Sequence, residues 1–200
     1  MPFQNRVTPL GELISTAERG LVYGNRGRLH DEHGVIRRPW QVQRWISCRL
    51  EFRGRYRASG PMAPNRYTGL FFLDEATALA AGHRPCAECR NPDYKSFLAL
   101  TGASRADELD EVLHMERGRL HEAELDDLPD GAFVALDHEP WLVLGSELLR
   151  WTPGGYSEQR PRFGGRAAVV TPPTSLRVLS SGWNGGVPLV HPNRSASGPE

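Results

Sequence analysis

Two cysteines separated by only two residues impose the strongest constraint on this chain. Cys86 and Cys89 lie in the stretch 81–90, which reads AGHRPCAECR. At this spacing, a tight turn can aim both sulfurs at one zinc ion, and backbone N–H groups of the turn can hydrogen-bond the thiolates. Pro85 stiffens the entry to such a turn, and Gly82 favours the end of a helix before it. The spacing alone leaves half a zinc site, a redox pair and a chance pairing open.

The number of cysteines and the distribution of apolar residues indicate the cellular compartment of the protein. The chain has 200 residues and 3 cysteines, which are too few and too odd in number for a disulfide scaffold. It contains no apolar run of the roughly 18 residues that a membrane helix needs. The first residues, MPFQNRVTPLGEL, lack the charged and apolar regions of a signal peptide. We therefore expect a cytoplasmic protein with no membrane partner, in which the cysteine pair serves metal or redox chemistry.

Arginine and aromatic residues are interleaved in one basic stretch. The formal net charge is zero, but the first hundred residues are net positive and the last hundred are equally negative. Arginine side chains on an aromatic surface suit phosphates and unstacked bases, whereas a solvated strand face is the simpler interpretation. The residues that we expect to contact nucleic acid are Arg44, Trp45, Arg49, Arg53, Arg55, Tyr56 and Arg57.

Hydrophobic periodicity predicts strands and a short helix around the cysteines. Residues 44–56 alternate in places, which indicates a half-buried strand with Cys48 on its apolar face. Residues 67–73 can return as a second strand. Asp74 is a good N-cap for an alanine-rich helix over residues 75–81.

Two further helices are predicted after the cysteine turn. Asn91, with Pro92 at the first helical position, caps a helix that runs to about residue 100. Ser104 and Asp107 then open a longer helix through about residue 123. This longer helix would place His114 and His121 on one face, with Glu111 one turn before His114.

The remainder of the chain is typical of a small β-meander. Short strands are predicted over 132–137, 141–144, 148–151 and 167–170, followed by a short helix over 175–179. The overall expectation is an α+β protein in three parts. These are a zinc-binding module with the basic strand region over 1–103, a helix and a β-rich part over 104–191, and a disordered tail over 192–200.

Residues 71–90, FFLDEATALAAGHRPCAECR, closely resemble the second half of the zinc-binding domain of the Ada DNA-repair methyltransferases. The resemblance covers about a tenth of the chain, and the same half-module recurs in zinc-bearing proteins outside DNA repair. Matching positions are occupied by Ala78, Leu79, Ala80, Ala81, Gly82, Arg84, Pro85, Cys86 and Cys89.

The resemblance implies a zinc site that includes an upstream cysteine. In that family four cysteines hold zinc, and one cysteine of an upstream C-x-x-x-C pair accepts a methyl group from a DNA phosphotriester. Here the upstream region offers only Cys48, and Phe52 occupies the partner position. Three cysteines with one histidine form a common closed zinc site. We therefore expect a structural zinc held by Cys48, Cys86, Cys89 and His30.

His33 is the alternative to His30 as the fourth ligand. His30 lies in a glycine-containing loop before the basic strand, and Asp31 could orient its ring from the second shell.

These patterns predict a zinc-stabilised nucleic-acid-binding protein, with DNA as the expected partner and a role in DNA repair or its regulation. An enzyme is the first alternative, either a zinc-thiolate alkyl acceptor at Cys48 or a hydrolase using His114, His121 or Glu111. We expect no efficient methyl transfer to Cys48, because Ile46 and Leu50 place it on the apolar side of a strand. A protein-interaction module without nucleic acid is the second alternative, and the oligomeric state stays open.

Overall fold

The computed structural model describes residues 1–56 and 60–193. Arg57 and the last seven residues of the predicted tail lie outside the described residues. Within the described part, runs of strands and groups of helices follow one another along the chain, and two of the sheets have six strands each, so the prediction of an α+β class is confirmed. No helix in this part is long and apolar enough to span a membrane.

The first sheet holds the segment that carries Cys48. Across the sheet, its strands are β2 (Leu13–Ser15), β1 (Gln4–Val7), β7 (Leu70–Phe72), β3 (Val22–Asn25), β4 (Ile46–Cys48) and β8 (Arg84–Pro85). Strands β4 and β8 are parallel, with Ile46 opposite Arg84 and Ser47 opposite Pro85. Because of this register, Cys48 at the end of β4 lies next to the turn that follows β8. Sequence reasoning missed the N-terminal strands β1, β2 and β3.

The predicted long strand over 44–56 is wrong. The chain leaves the sheet after β4 and forms a hairpin from β5 (Glu51–Phe52) and β6 (Arg55–Tyr56). Arg53 and Gly54 connect these strands with φ angles of 53° and 70°, the left-handed pair that a tight hairpin turn requires. Within β4, Cys48 is buried as expected, and Ser47 on the opposite face is buried as well.

The second sheet is antiparallel and contains the predicted meander. Across it, the strands are β13 (Gly155–Pro161), β12 (Glu147–Thr152), β11 (Glu139–Leu144), β10 (Phe133–Leu136), β14 (Arg166–Val169) and β9 (His121–Glu124). Four of these strands correspond to the four predicted segments. Strands β9 and β13 were not expected.

Four helices connect and cover the sheets in the described part of the chain. They are α1 (Glu75–Ala80), α2 (Asn91–Thr101), α3 (Ala106–Glu116) and α4 (Pro173–Ser180). The predicted cap of α1 is confirmed, since Asp74 Oδ1 accepts from the backbone N–H of Thr77 at 2.9 Å. Asn91 is the first residue of α2 instead of its cap, and its side chain donates to Ala87 O at 2.8 Å.

Helix α3 is shorter than predicted and begins later. Its N-cap is Arg105 instead of Ser104, and it ends at Glu116. Gly118 follows with a φ of 69°, a left-handed conformation that cannot continue the helix. His121 consequently lies in β9, and it does not share a helix face with His114.

Helix α1 lies at the centre of the molecule, with every one of its side chains buried. Ala76 and Ala80 pack with Phe133 and other residues of the second sheet, whereas Ala78 packs with residues of the first sheet. The small alanine side chains allow this close approach on both sides. The predicted domain boundary at residue 103 stays a prediction, and the packing shows that α1 joins both sheets.

A C-terminal segment over 183–193, here called the strap, covers the N-terminus of α1. The N–H groups of Glu75 and Ala76 donate to carbonyl oxygens of the strap, those of Pro188 and Leu189, at 3.1 and 3.0 Å. The N–H of His191 donates to Asp74 Oδ2 at 2.8 Å. The strap therefore satisfies helix donors that would otherwise be buried without partners.

Candidate metal centre

Three cysteine side chains form one buried cluster. Cys48 ends β4, and Cys86 and Cys89 lie in the turn after β8; their sulfur atoms all lie within 4.8 Å of one another. The N–H of Cys86 donates to Ser47 O at 2.9 Å, which fixes the turn against β4. A tetrahedral zinc with Zn–S bonds of about 2.3 Å needs sulfurs about 3.8 Å apart. The three cysteines therefore fit a metal ion of this kind.

Backbone N–H groups point at the sulfurs of the cluster. The N–H of Glu88 donates to Cys86 Sγ at 3.4 Å. The N–H of Cys89 also donates to Cys86 Sγ, and the N–H of Arg49 donates to Cys89 Sγ. Donors of this kind stabilise thiolates, which are the form that binds a metal. The turn is thus built for negatively charged sulfur.

The three thiols do not hold their protons equally. Hydrogen bonds from Cys48 and Cys89 keep the pKa of Cys86 well below its usual range, with further help from the backbone. The pKa of Cys48 lies well above its usual range, because Cys48 is hydrogen-bonded to the two other thiols and is buried. The three thiols therefore titrate as one coupled group, in which hydrogen bonds favour a thiolate.

A buried network of ion pairs and hydrogen bonds around Arg90 holds the cysteine turn in position. Arg90, directly after Cys89, is fully buried and donates twice to Glu75 at 2.6 Å. It also donates to Asp93 at 2.8 Å and to Ser47 Oγ at 3.0 Å. Arg90 therefore ties the cysteine turn to α1, α2 and β4 at once.

The structure does not bring the predicted histidine to the cysteines. His30 Nδ1 lies 2.6 Å from Thr68 Oγ1, and His30 Nε2 lies 3.2 Å from Ala63 O. His33 is exposed beside Glu32. Among the residues that the structure describes, the cluster has three members. A role for His30 as the fourth ligand stays a prediction that this arrangement does not support.

Asp31 orients its own loop instead of the ring of His30. Its carboxylate accepts from the N–H groups of His33 and Val35 at 2.9 and 3.0 Å and pairs with Arg37 at 2.7 Å. These donors lower the pKa of Asp31 to about 2.

A polar pocket adjoins the cysteine cluster; we call it the hairpin pocket. It encloses about 610 Å³, and its lining residues are Tyr23, Phe52, Arg53, Arg55, Tyr56, Gly60, Ala63, Arg66, Tyr67 and Glu88. Tyr23 and Phe52 also pack against the cysteines, and Glu88 belongs to the cysteine turn. The metal cluster and the pocket therefore share a wall.

The hairpin pocket gathers three of the residues predicted to contact nucleic acid. Arg53, Arg55 and Tyr56 line it together. Arg44 and Arg49 are exposed but are not among its lining residues. Arg66 and Tyr67 were missed as site residues, although both belong to the same basic, aromatic-bearing part of the sequence.

Trp45 does not accompany the other predicted nucleic-acid contacts. It is only 7% exposed, and the guanidinium carbons of Arg26 and Arg117 lie 3.8 and 4.4 Å from its ring centroid. A base could not stack where these two side chains lie.

The histidines proposed for a hydrolase are separated by the fold. His114 is on α3, where its ring contacts the Trp40 ring edge-on with centroids 4.8 Å apart. His121 is on β9, with Nε2 3.1 Å from Thr171 O. Glu111 and His114 remain one turn apart on α3, but His121 does not share that helix face.

The fold and the site define an α+β protein with a buried three-cysteine cluster that can bind a metal ion. Comparisons with family models, with curated proteins and with solved structures give no match. The chemistry of the site is consequently inferred from the residues of this chain.

Proposed function

We propose that this protein is a zinc-stabilised nucleic-acid-binding protein. Zinc is held by Cys48, Cys86 and Cys89, and the hairpin pocket binds the phosphates and bases of DNA. The observation that carries this proposal is the shared wall between the cysteine cluster and a pocket lined by arginine and tyrosine side chains. The resemblance of residues 71–90 to the Ada-type zinc module supports DNA as the partner and DNA repair or its regulation as the setting.

Each part of the site has a separate task. A zinc ion bound here would cross-link β4 to the turn after β8 and neutralise thiolate charge. Arg53, Arg55 and Arg66 supply guanidinium groups for phosphate oxygens. Tyr56 and Tyr67 are each about half exposed and offer ring faces on which unpaired bases stack. This combination favours single-stranded or locally opened DNA over intact duplex.

Replacing both Arg53 and Arg55 by glutamate should weaken binding of a short single-stranded DNA by about 100-fold at low salt, since two charge-assisted contacts are lost. The slope of log affinity against log salt should fall by about 1.4, at about 0.7 for each lost phosphate contact. Fluorescence anisotropy with a labelled oligonucleotide over a salt series measures both quantities.

The matched control replaces Arg105 and Arg166 by glutamate. Both are exposed and make only weak surface ion pairs, so this variant has the same net charge change away from the hairpin. It should bind DNA within about threefold of the native protein. Absence of salt-dependent DNA binding by the native protein would contradict the proposal and favour a protein-interaction module.

We expect no stoichiometric methylation of Cys48 by DNA that carries methyl phosphotriesters. Cys48 has no exposed surface, so a DNA backbone cannot reach its sulfur in line. Intact-mass measurement followed by peptide mapping detects the added methyl group. Methylation of Cys48 at a rate well above that of the same peptide in denatured protein would establish the alkyl-acceptor alternative instead.

A further inference from the structure

A second pocket lies away from the cysteine cluster; we call it the tryptophan pocket. It encloses about 460 Å³. Its walls come from residues 9–12, the rings of Trp40, Trp45 and His114, the end of α1, Val170, and residues 117–120 after α3. Most of these side chains are apolar, and the indole of Trp40 is 41% exposed. Neither the metal centre nor the hairpin pocket uses any of these residues.

The buried Arg26 and the half-buried Arg117 both stack on Trp45, which forms one wall of this pocket. Arg26 donates from Nε to His83 Nε2 at 3.2 Å and from Nη1 to Gly11 O at 2.9 Å. Arg117 donates from Nε to Gly82 O at 2.8 Å and from Nη1 to Gln43 O at 2.9 Å. The Nη2 atom of each arginine is buried and has no hydrogen-bond partner.

Neither guanidinium has a carboxylate of its own. Within the described part of the chain, Arg26 and Arg117 form no ion pair, and the nearby carboxylates are engaged by other groups. Asp110 accepts both hydrogen bonds of a bidentate pair with Arg84 at 2.9 and 2.7 Å. Glu116 accepts from the backbone N–H and the hydroxyl of Thr174 at 3.0 and 2.8 Å.

This arrangement is electrostatically costly. Burial, with a smaller contribution from the charge of Arg117, lowers the pKa of Arg26 to about 9. Burial also lowers the pKa of Arg117 to about 10, although the nearby carboxylates of Asp110 and Glu116 act in the opposite direction. His83 is fully buried between them, and its pKa is lowered well below its usual range by burial and by both arginines. Buried charges in proteins are normally paired, so this cluster favours an anion beside it.

The lining of the pocket bears a net positive charge. Arg117 and the exposed Arg119 line it, whereas Glu12 is the carboxylate among its described lining residues and is exposed at the rim. Arg26 adds a fully buried positive charge behind Trp45. A Cβ placed on Gly11, which lines the pocket, would lie 3.9 Å from Arg26 Nη2, so this charge lies directly behind the pocket wall.

We infer that the tryptophan pocket binds a small organic anion with an apolar or aromatic body. The body packs against Trp40, Leu10 and Leu120, and its carboxylate or phosphate group accepts from Nη2 of Arg117 after a small shift of that guanidinium. Arg26 stabilises the same negative charge through space. The apolar share of the lining distinguishes this ligand from a free inorganic ion.

Four small-molecule probes test separately whether the aromatic ring and the negative charge are each required for binding. Benzoate and phenyl phosphate carry a ring and an anion, benzamide carries the ring without the charge, and inorganic phosphate carries the charge without the ring. Binding is followed by the fluorescence of the tryptophans and by the indole N–H signals in NMR spectra. We expect saturable binding of benzoate or phenyl phosphate, at least about 10-fold tighter than benzamide and than inorganic phosphate. The tighter of the two aryl anions identifies the anionic group.

Leu120→Glu places a competing carboxylate in the pocket. Leu120 is 55% exposed, so the substitution costs little packing. We expect it to raise the melting temperature, because the new carboxylate pairs with Arg117, and to weaken binding of the aryl anion by at least about 10-fold. The matched variant Leu120→Gln has nearly the same shape as Leu120→Glu and loses the same apolar contact, but it carries no charge. Leu120→Glu should therefore bind the aryl anion at least about 10-fold more weakly than Leu120→Gln.

The inference is overturned by any of three results. These are benzamide binding as tightly as benzoate, inorganic phosphate binding as tightly as phenyl phosphate, and unchanged aryl-anion affinity in Leu120→Glu. Leu120 does not line the hairpin pocket, so the Leu120 variants should bind oligonucleotides like the native protein. The tests of the two pockets are therefore independent of each other.

Discussion

Replacement of Cys86 by serine is expected to abolish the zinc binding that we propose and to unfold much of the first sheet. Cys86 lies in the three-cysteine cluster, and its Sγ accepts the N–H donors of the turn, including that of Glu88 at 3.4 Å. Structural zinc in small domains contributes about 10 kcal/mol or more of folding free energy, because the site does not exist in the unfolded chain. Elemental analysis should give about one zinc per native chain and none for Cys86→Ser, and circular dichroism should show an early, shallow thermal transition.

Ala87→Ser is the matched control for this change. Ala87 lies in the same turn, is exposed and offers no ligand atom, so its replacement by serine should leave both the zinc content and the melting temperature unchanged. Thiol counting before and after chelation provides a second readout, since three thiols should become reactive only after zinc is removed. A Cys86→Ser protein that retains one zinc per chain and the native melting temperature would contradict the three-cysteine site.

Replacement of Arg90 by methionine is expected to lower the free energy of unfolding by about 3–5 kcal/mol. Arg90 is fully buried and is the partner of the buried carboxylate of Glu75, which no other described ion pair compensates. Removing the guanidinium leaves that carboxylate buried near the carboxylates of Asp74 and Asp93, where the charged form is strongly disfavoured. The cysteine turn also loses its hydrogen bond to Ser47 Oγ. Denaturant unfolding of the native and variant proteins measures the difference.

Two further proteins separate charge from packing in this test. Lys95→Met removes one positive charge from the exposed side of α2 and should change the free energy of unfolding by less than about 0.5 kcal/mol. The double replacement Glu75→Gln with Arg90→Met removes both charges and should recover part of the lost stability. A double variant less stable than Arg90→Met alone would show that the ion pair is not the cause.

The segment that sequence reasoning predicted best is the one whose structure is determined locally. Asp74 caps α1, Gly82 ends the turn after it with a φ of 77°, and the two following cysteines form the expected turn. Each of these features depends on residues at most a few positions away. Cys48 was assigned to the cluster because it is the remaining cysteine on an apolar segment, and the structure places it there.

The features that sequence reasoning missed depend on distant contacts. His30 was attractive as a ligand by its position in the chain, but Thr68 and Ala63 engage its ring. Trp45 looked like an exposed aromatic, but Arg26 and Arg117 cover it from other elements. Nothing within a few residues of either side chain indicates these partners, so local patterns could not have revealed them.

The strap has a consequence for the order in which the protein forms during synthesis. Pro188, Leu189 and His191 complete the hydrogen bonds at the start of α1, and Gly185 packs directly against Arg90 and Glu75. These residues leave the ribosome after both sheets have been made. The N-terminus of α1 therefore stays uncovered until translation has nearly reached the end of the described chain, and the N-terminal half cannot complete its packing before then. The half that carries the cysteines is therefore synthesised before the strap, but its hydrogen bonds at α1 are completed only when the strap has been made.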